Sequence, residues 1–174
     1  VNWHLAALRL SHKFSPKTRL SAMIFGLDAG RNALGYRGSP LNINGNPVSE
    51  DDYQDELGNY LFERDLIKGV FRNYGAEVKL LSRYTMGDRK AVFLIGSKFY
   101  QSQNTSQQGA GSIGADADFD FKNDIYPDYP NQSDFTFPNV NASVFGENIF
   151  FVNEKLSITP GFRFEHITTK SNGI

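Results

Sequence analysis

A regular alternation of apolar and polar side chains between residues 156 and 165 constrains the fold more than any other feature. The apolar members are Leu156, Ile158, Phe162 and Phe164, and the polar members are Ser157, Thr159, Arg163 and Glu165. A period of two is typical of a β-strand whose two faces meet different environments. One face therefore requires lipid or a protein core, and the other requires water.

The same alternation recurs along the chain and predicts about six strands in up-and-down order. The predicted strands are 3–12, 19–28, 70–84, 90–101, 139–152 and 155–169, and the predicted long loops are 30–69 and 102–138. Short turns join the strands at one edge, and the long loops join them at the other. This asymmetry is the layout of an outer-membrane barrel. We therefore predict an all-β fold of antiparallel strands that forms part of a transmembrane β-barrel.

Composition excludes several classes of protein. The 18 basic and 19 acidic residues provide no basic surplus for nucleic-acid binding, and the absence of Cys means that no disulfide is needed. No apolar run approaches the roughly 20 residues of a membrane-spanning helix, whereas barrel strands alternate and keep the average hydropathy low. Residues 1–4 show no signal-peptide pattern, so we expect that an export signal was removed or that the chain is an interior fragment.

Four segments of the chain carry a family resemblance. They are FGLDAGRNALGY (25–36), VFRNYGAEVKLLSRYTMGDRK (70–90), QGAGSIGADADFDF (108–121) and SVFGENIFFVNEKLSITPGFRFEH (143–166). The last resembles the barrel hairpin of TonB-dependent outer-membrane receptors, in which a strand ending in EN-F and a short turn precede L-TPG-R-E. As an ordered set, the four segments are most similar to the ferric-citrate branch of that family.

The resemblance implies a function in transport across the bacterial outer membrane. In such a receptor a 22-stranded barrel encloses a plug domain. Loops bind a ferric chelate, either a siderophore or a ferric citrate-like complex, and an inner-membrane TonB-type complex supplies the energy for entry. Six strands cannot close a barrel, and no plug segment is recognisable. We therefore expect a middle portion of the barrel wall, with lipid on one face and no enzymatic activity.

Four residues of the long loops are candidate ligand contacts. Arg31 and Arg37 belong to the first loop, where a planar guanidinium could make bidentate bonds to a chelate carboxylate. Gln107 and Gln108 belong to the second loop, which has no Arg between 101 and 121; this disfavours citrate itself. The alternative role of the arginines is solvation of the loop or pairing with the acidic cluster 51–56.

The sequence predicts no catalytic residue, metal site or cofactor. Asp116, Asp118 and Asp120 alternate, but they lack the Gly and the downstream Glu of a helical calcium loop. The three histidines are widely separated, and no nucleophile motif is present. The charged strand residues Glu77, Arg163 and Glu165 are predicted to face the lumen as a structural charge network.

Two other functions remain open at the level of sequence. One is a soluble, secreted β-sandwich that binds a ligand through the two long loops, and the other is a passive porin-type barrel. The aromatic and aliphatic strand residues distinguish a sandwich from a membrane wall, because a second layer would cover them only in a sandwich. The test set is Tyr74, Val78, Phe93, Ile95, Ile158 and Phe162.

Overall fold

A computed structural model describes residues 1–174 except Arg37, Ser39, Ile43 and Ala117. The described residues form one antiparallel sheet in the order β1-β2-β3-β4-β5-β6, with β7 and β8 also paired to β5. The strands are β1 (Asn2–Lys13), β2 (Thr18–Gly35), β3 (Asp65–Met86), β4 (Arg89–Ala110), β5 (Ser133–Phe151), β6 (Ser157–Ile158), β7 (Gly161–Thr169) and β8 (Asn172–Gly173). The predicted all-β, up-and-down architecture is confirmed, and within the described residues the sheet is open.

The strands extend further toward the long loops than the alternation predicts. β3 begins at Asp65 instead of near residue 70, and β4 continues to Ala110 instead of ending near 101. The connecting segments are therefore 36–64 and 111–132, so Arg31, Gln107 and Gln108 lie in strands instead of loops. Alternation fails to detect the β4 extension because residues 102–108 are polar on both faces, while the backbone ladder continues unbroken.

The turn edge follows local residue chemistry. Gly87 has φ +61°, as the first central residue of a tight two-residue hairpin turn between β3 and β4 requires. The predicted strand 155–169 is instead divided into β6 and β7, because Pro160 interrupts it and has no N–H to donate to the ladder.

The only described helix is the short 3-10 segment Glu50–Asp52, and none of the described helices has the length and apolarity needed to cross a membrane.

The strand register gives the sheet two unlike faces. On one, which we call the apolar face, the paired positions Leu8, Ile24, Ala76, Phe99 and Ala142 form a row across five strands. All six residues of the test set lie on this face, five of them exposed and Phe93 half-buried. The opposite surface, the polar face, carries the intervening residues.

A charge-free band crosses the apolar face. On β3 it runs from Tyr74 to Tyr84, with Arg72 beyond one end and the β4 residue Arg89 beyond the other. Among the described strand residues facing this side between those limits, none is Asp, Glu, Lys or Arg. The band comprises eleven residues of β3. At a rise of about 3.3 Å per residue and a strand tilt of about 45° from the membrane normal, it would be about 25 Å high.

The sheet is a single layer with little enclosed core. Leu66 is the one large side chain in the described residues that is fully buried, whereas Leu8 is 68% and Phe164 71% exposed. The accessible surface is 12219 Å², against about 8,500 Å² for a compact folded protein of this mass. Most of the large apolar side chains therefore lie on an open surface.

Candidate functional site

A belt of charged residues crosses the polar face directly behind the charge-free band. The register aligns Arg9, Met23, Glu77, Lys98, Ser143 and Glu165 in one row across six strands. Within this belt Glu77 pairs with Lys79 at 2.6 Å, and Glu165 pairs with Arg163 at 2.8 Å. The predicted residues Glu77, Arg163 and Glu165 therefore share the face opposite the apolar one, and two ion pairs order their side chains.

Arg64 joins the two connecting segments at the loop edge. Its side chain is 5% exposed, and its Nε donates to the Ser112 carbonyl at 2.7 Å. Its Nη2 donates to the Gly114 carbonyl at 3.0 Å, and the guanidinium stacks 3.9 Å from the centre of the Tyr60 ring. Because a buried cation must be compensated, these contacts fix segment 111–132 against segment 36–64.

The next residue, Asp65, holds the same segment through a second set of contacts. Asp65 is 8% exposed and accepts hydrogen bonds from the Tyr129 hydroxyl at 2.7 Å and from Gln108 Nε2 at 3.0 Å. Burial, together with the neighbouring Asp65 carboxylate, raises the pKa of Tyr129 to about 12. Tyr129 therefore remains a neutral hydrogen-bond donor throughout the physiological range.

Beside Arg64, a cleft of about 350 Å³ opens among three tyrosines. We call it the tyrosine cleft, and its lining residues are Leu34, Gly35, Tyr36, Glu50, Tyr53, Gln54, Tyr60 and Arg64. The Tyr36 ring lies 5.0 Å from Tyr53 at 70° and 6.0 Å from Tyr60 at 59°. The ring planes are steeply inclined, so they form walls of the cleft instead of a stack. Its volume is within the range of small-molecule sites.

Backbone hydrogen bonds hold the tyrosines in place. The Tyr36 hydroxyl donates to the Phe62 carbonyl at 3.2 Å, and burial raises the pKa of Tyr36. Leu61 N donates to the Tyr53 carbonyl at 2.9 Å, and Tyr60 N donates to the Ile113 carbonyl at 2.7 Å. The cleft is therefore largely formed before any ligand arrives.

A tight turn between Tyr53 and Tyr60 adds to this rigidity. Asp55 accepts the backbone N–H groups of Leu57 and Asn59 at 2.9 and 2.8 Å, and Gly58 has φ +80°. The contacts to Asn59 are the main reason that the pKa of Asp55 lies below its usual range. An ionised carboxylate thus fixes the turn that sets the distance between the two rings.

Both connecting segments are acidic. Segment 36–64 has six acidic and two basic residues, and segment 111–132 has five acidic and one basic residue, in a chain of net charge −1. Of these bases, Arg64 is buried, and Lys122 contacts Asp118 at 2.6 Å. Hydrogen bonding to Lys122 lowers the pKa of Asp118, and the same bond raises the pKa of Lys122. The electrostatic potential at this edge of the sheet is therefore negative.

The three described residues among the four predicted contacts do not lie together. Arg31 is exposed on the polar face of β2, and Gln108 lies on the same face two strands away, where it contacts Asp65. Gln107 lies on the opposite face and donates to Asp134 at 3.1 Å. Arg37 is outside the described residues. A ligand contact at any of the four remains a prediction.

The sequence analysis did not predict the residues of the tyrosine cleft as a site. The burial of Arg64 and its three acceptors depend on contacts with a distant segment, which no local pattern shows. The available signal was the presence of Tyr36, Tyr53 and Tyr60 in an otherwise polar, acidic segment. Aromatic residues are uncommon in solvated loops because they carry large apolar surfaces.

The alternating aspartates do not converge. Asp118 is engaged by Lys122 and accepts the Asp120 backbone N–H at 2.8 Å. Within the described residues, no group of three or more His, Cys, Asp or Glu side chains is arranged to hold a metal ion.

No family model, no curated protein and no solved structure matches the chain.

Proposed function

We propose that the chain is a wall segment of a transmembrane β-barrel in the bacterial outer membrane, belonging to a TonB-dependent receptor for energy-coupled uptake of a ferric chelate. In this proposal the apolar face contacts lipid, the polar face lines the lumen, and the loop edge faces outward. The family assignment derives from the sequence resemblance, and the orientation of the wall derives from the faces of the sheet.

The observation that carries the barrel proposal is the charge-free band backed by the charged belt. A band about 25 Å high on the outer face and a polar interior are the two requirements of a barrel wall. Val78 lies in the band, and its sequence neighbours Glu77 and Lys79 form an ion pair on the other side. Lipid on one side and water on the other satisfy both sets of side chains.

The single layer favours a membrane wall over a β-sandwich. In a sandwich a second sheet would pack about 10 Å from the first and cover its apolar face. The described residues form one sheet, in which Ile24, Ile95 and Phe162 are exposed as contact with lipid requires. A porin-type wall would share both faces, and uptake that depends on an energy-coupling partner would distinguish the receptor from it.

A pair of cysteine variants tests the membrane orientation, because the natural chain contains no Cys. Ser97→Cys places a thiol on the apolar face, and Ser21→Cys places one on the polar face at nearly the same depth, since Ser21 pairs with Lys79 and Lys79 with Gly96. In intact outer membranes a water-soluble maleimide should label Ser21→Cys and should leave Ser97→Cys unlabelled, because the reactive thiolate does not form in hydrocarbon.

Denaturation in detergent should make both thiols equally reactive, which controls for intrinsic reactivity. Equal labelling of both variants by the water-soluble reagent in a soluble fraction would overturn the membrane proposal. Loss of ferric-chelate uptake after deletion of the energy-coupling partner would support the receptor class, and unchanged uptake would indicate a porin.

A further inference from the structure

We propose that the tyrosine cleft binds an organic cation, an ammonium group of a small ligand, by cation–π contact with its rings and by ion pairing with Glu50. Where the barrel is a ferric-chelate receptor, the chelate would present such a group to the cleft and would not be a polyanion of the citrate type. This inference rests on the proposed function only for the identity of the natural ligand.

The arrangement of the rings supports a cation as the occupant. Tyr36 meets Tyr53 edge to face with the ring centres 5.0 Å apart and lies 6.0 Å from Tyr60, so the three rings form one aromatic cluster that lines the cleft. An ammonium group is attracted to the negative face of an aromatic ring within about 6 Å, and several such rings form the usual site for methylated ammonium ions.

The charges around the cleft agree with this assignment. Glu50 contributes an exposed carboxylate to the lining, and it begins the acidic 3-10 segment Glu50–Asp52. The negative charge of segments 36–64 and 111–132 raises the local concentration of cations. A carboxylate-rich ligand would meet repulsion at the same edge.

Arg64 is the one cation among the described lining residues, and its contacts are structural. Its Nε and Nη2 are directed at the Ser112 and Gly114 carbonyls, and its guanidinium stacks on Tyr60. Arg64 therefore demonstrates that a cation is stable against this ring. Tyr36 and Tyr53 line the same cleft as Glu50 and offer further aromatic surface.

The first measurement is the binding of tetramethylammonium to the full-length protein in detergent. Binding is monitored through the chemical shift of the methyl protons of the probe. Its neutral analogue tert-butanol and the anion citrate serve as comparison probes. We expect saturable binding of tetramethylammonium and an at least tenfold preference over both comparison probes, since only the ammonium ion gains cation–π and ion-pair contacts.

Substitutions at Tyr53 distinguish the contribution of the aromatic ring from that of the hydroxyl, and a substitution at Glu50 removes the charge while keeping the shape of the side chain. Tyr53→Leu should weaken binding of the ammonium probe about 3- to 30-fold, whereas Tyr53→Phe should retain it within about twofold because the ring remains. Glu50→Gln should weaken binding and reduce its dependence on salt. Hydrogen exchange in segment 111–132 should be unchanged in all three variants, which shows that the loops remain folded.

Two results would overturn the proposal: preferential binding of citrate, or equal ammonium binding by the Tyr53→Leu and natural proteins. Either result would leave the membrane proposal intact if the Ser21 and Ser97 thiols label as expected. Conversely, equal labelling of the two thiols by the water-soluble reagent would contradict the receptor proposal. The ammonium site would then belong to a soluble protein.

Discussion

At the scale of single residues, the most informative contacts are those of Arg64 and Asp65. They are adjacent in sequence, both buried, and both bonded to segment 111–132, one through backbone carbonyls and the other through a phenol. Buried charges persist only where hydrogen bonds compensate them. These two residues therefore secure the second connecting segment to the sheet.

The Tyr129 hydroxyl should lose its proton only at unusually high pH. Its pKa is about 12 against the ordinary 10.0, so its contribution to stability is complete below pH 10 and is lost as the pH rises from 10 through 12. The near-ultraviolet absorbance of tyrosinate follows this titration. Because burial also raises the pKa of Tyr36, Tyr129→Phe should reduce the amplitude of the high-pH transition by one tyrosine, and Asp65→Asn should shift the Tyr129 component to lower pH by removing a negative charge. An undiminished amplitude near pH 12 in Tyr129→Phe would contradict the assignment.

At the scale of elements, the long strands support a preformed loop edge. β3 and β4 pair without interruption from Asp65 with Ala110 to Met86 with Arg89. The two connecting segments leave the ends of this ladder and bond to each other, as in the hydrogen bond from Tyr60 N to the Ile113 carbonyl. We therefore expect them to open and close as one unit, with Arg64 as the main link.

Arg64→Met should release that link while preserving side-chain length. Two carbonyls would lose a buried charged donor, at a cost of about 1.5–3 kcal/mol per bond. Hydrogen exchange in segment 111–132 should accelerate by about tenfold or more, and the β3–β4 ladder should remain protected. The matched control is Arg72→Met, whose ion pair with Asp28 is 3.8 Å long and more than two-thirds exposed on both sides. Equal effects of the two substitutions would contradict the role of Arg64.

At the scale of the whole molecule, the sheet has two unlike faces. One carries the charge-free band, and two ion pairs order side chains on the other. A water-soluble protein would gain by exchanging exposed Val78 for a charged residue, whereas a membrane wall would lose. The response to a charge on the apolar face therefore distinguishes the two environments directly.

Val78→Lys should destabilise the protein by about 2–4 kcal/mol in lipid, because it introduces a charge near the middle of the band. The measurement is the urea midpoint of reversible unfolding from lipid vesicles. Ser11→Lys is the control, because Ser11 pairs with Ser21 on the polar face at a neighbouring depth. A neutral or stabilising effect of Val78→Lys would show that this face meets water.

The sequence alone determined the strand type, the alternation of short turns and long segments, and the sorting of residues between faces. Side-chain alternation has a period of two, so Val78 and Lys79 must point to opposite sides of any strand that contains them. The sequence likewise shows that Glu77 and Arg163 each lie on the more polar side of their own strand. That the two share one face of the sheet is known only from the register between the strands.

The tertiary structure alone decided where the strands end and what the connecting segments do. Backbone pairing carries β4 through a polar stretch that has no alternation, which moved Gln107 and Gln108 from a loop into a strand. Contacts between distant residues assembled Tyr36, Tyr53 and Tyr60 into a cleft and buried Arg64 against Ser112. No local pattern encodes these contacts, because they join segments separated by dozens of residues and depend on the register of the whole sheet.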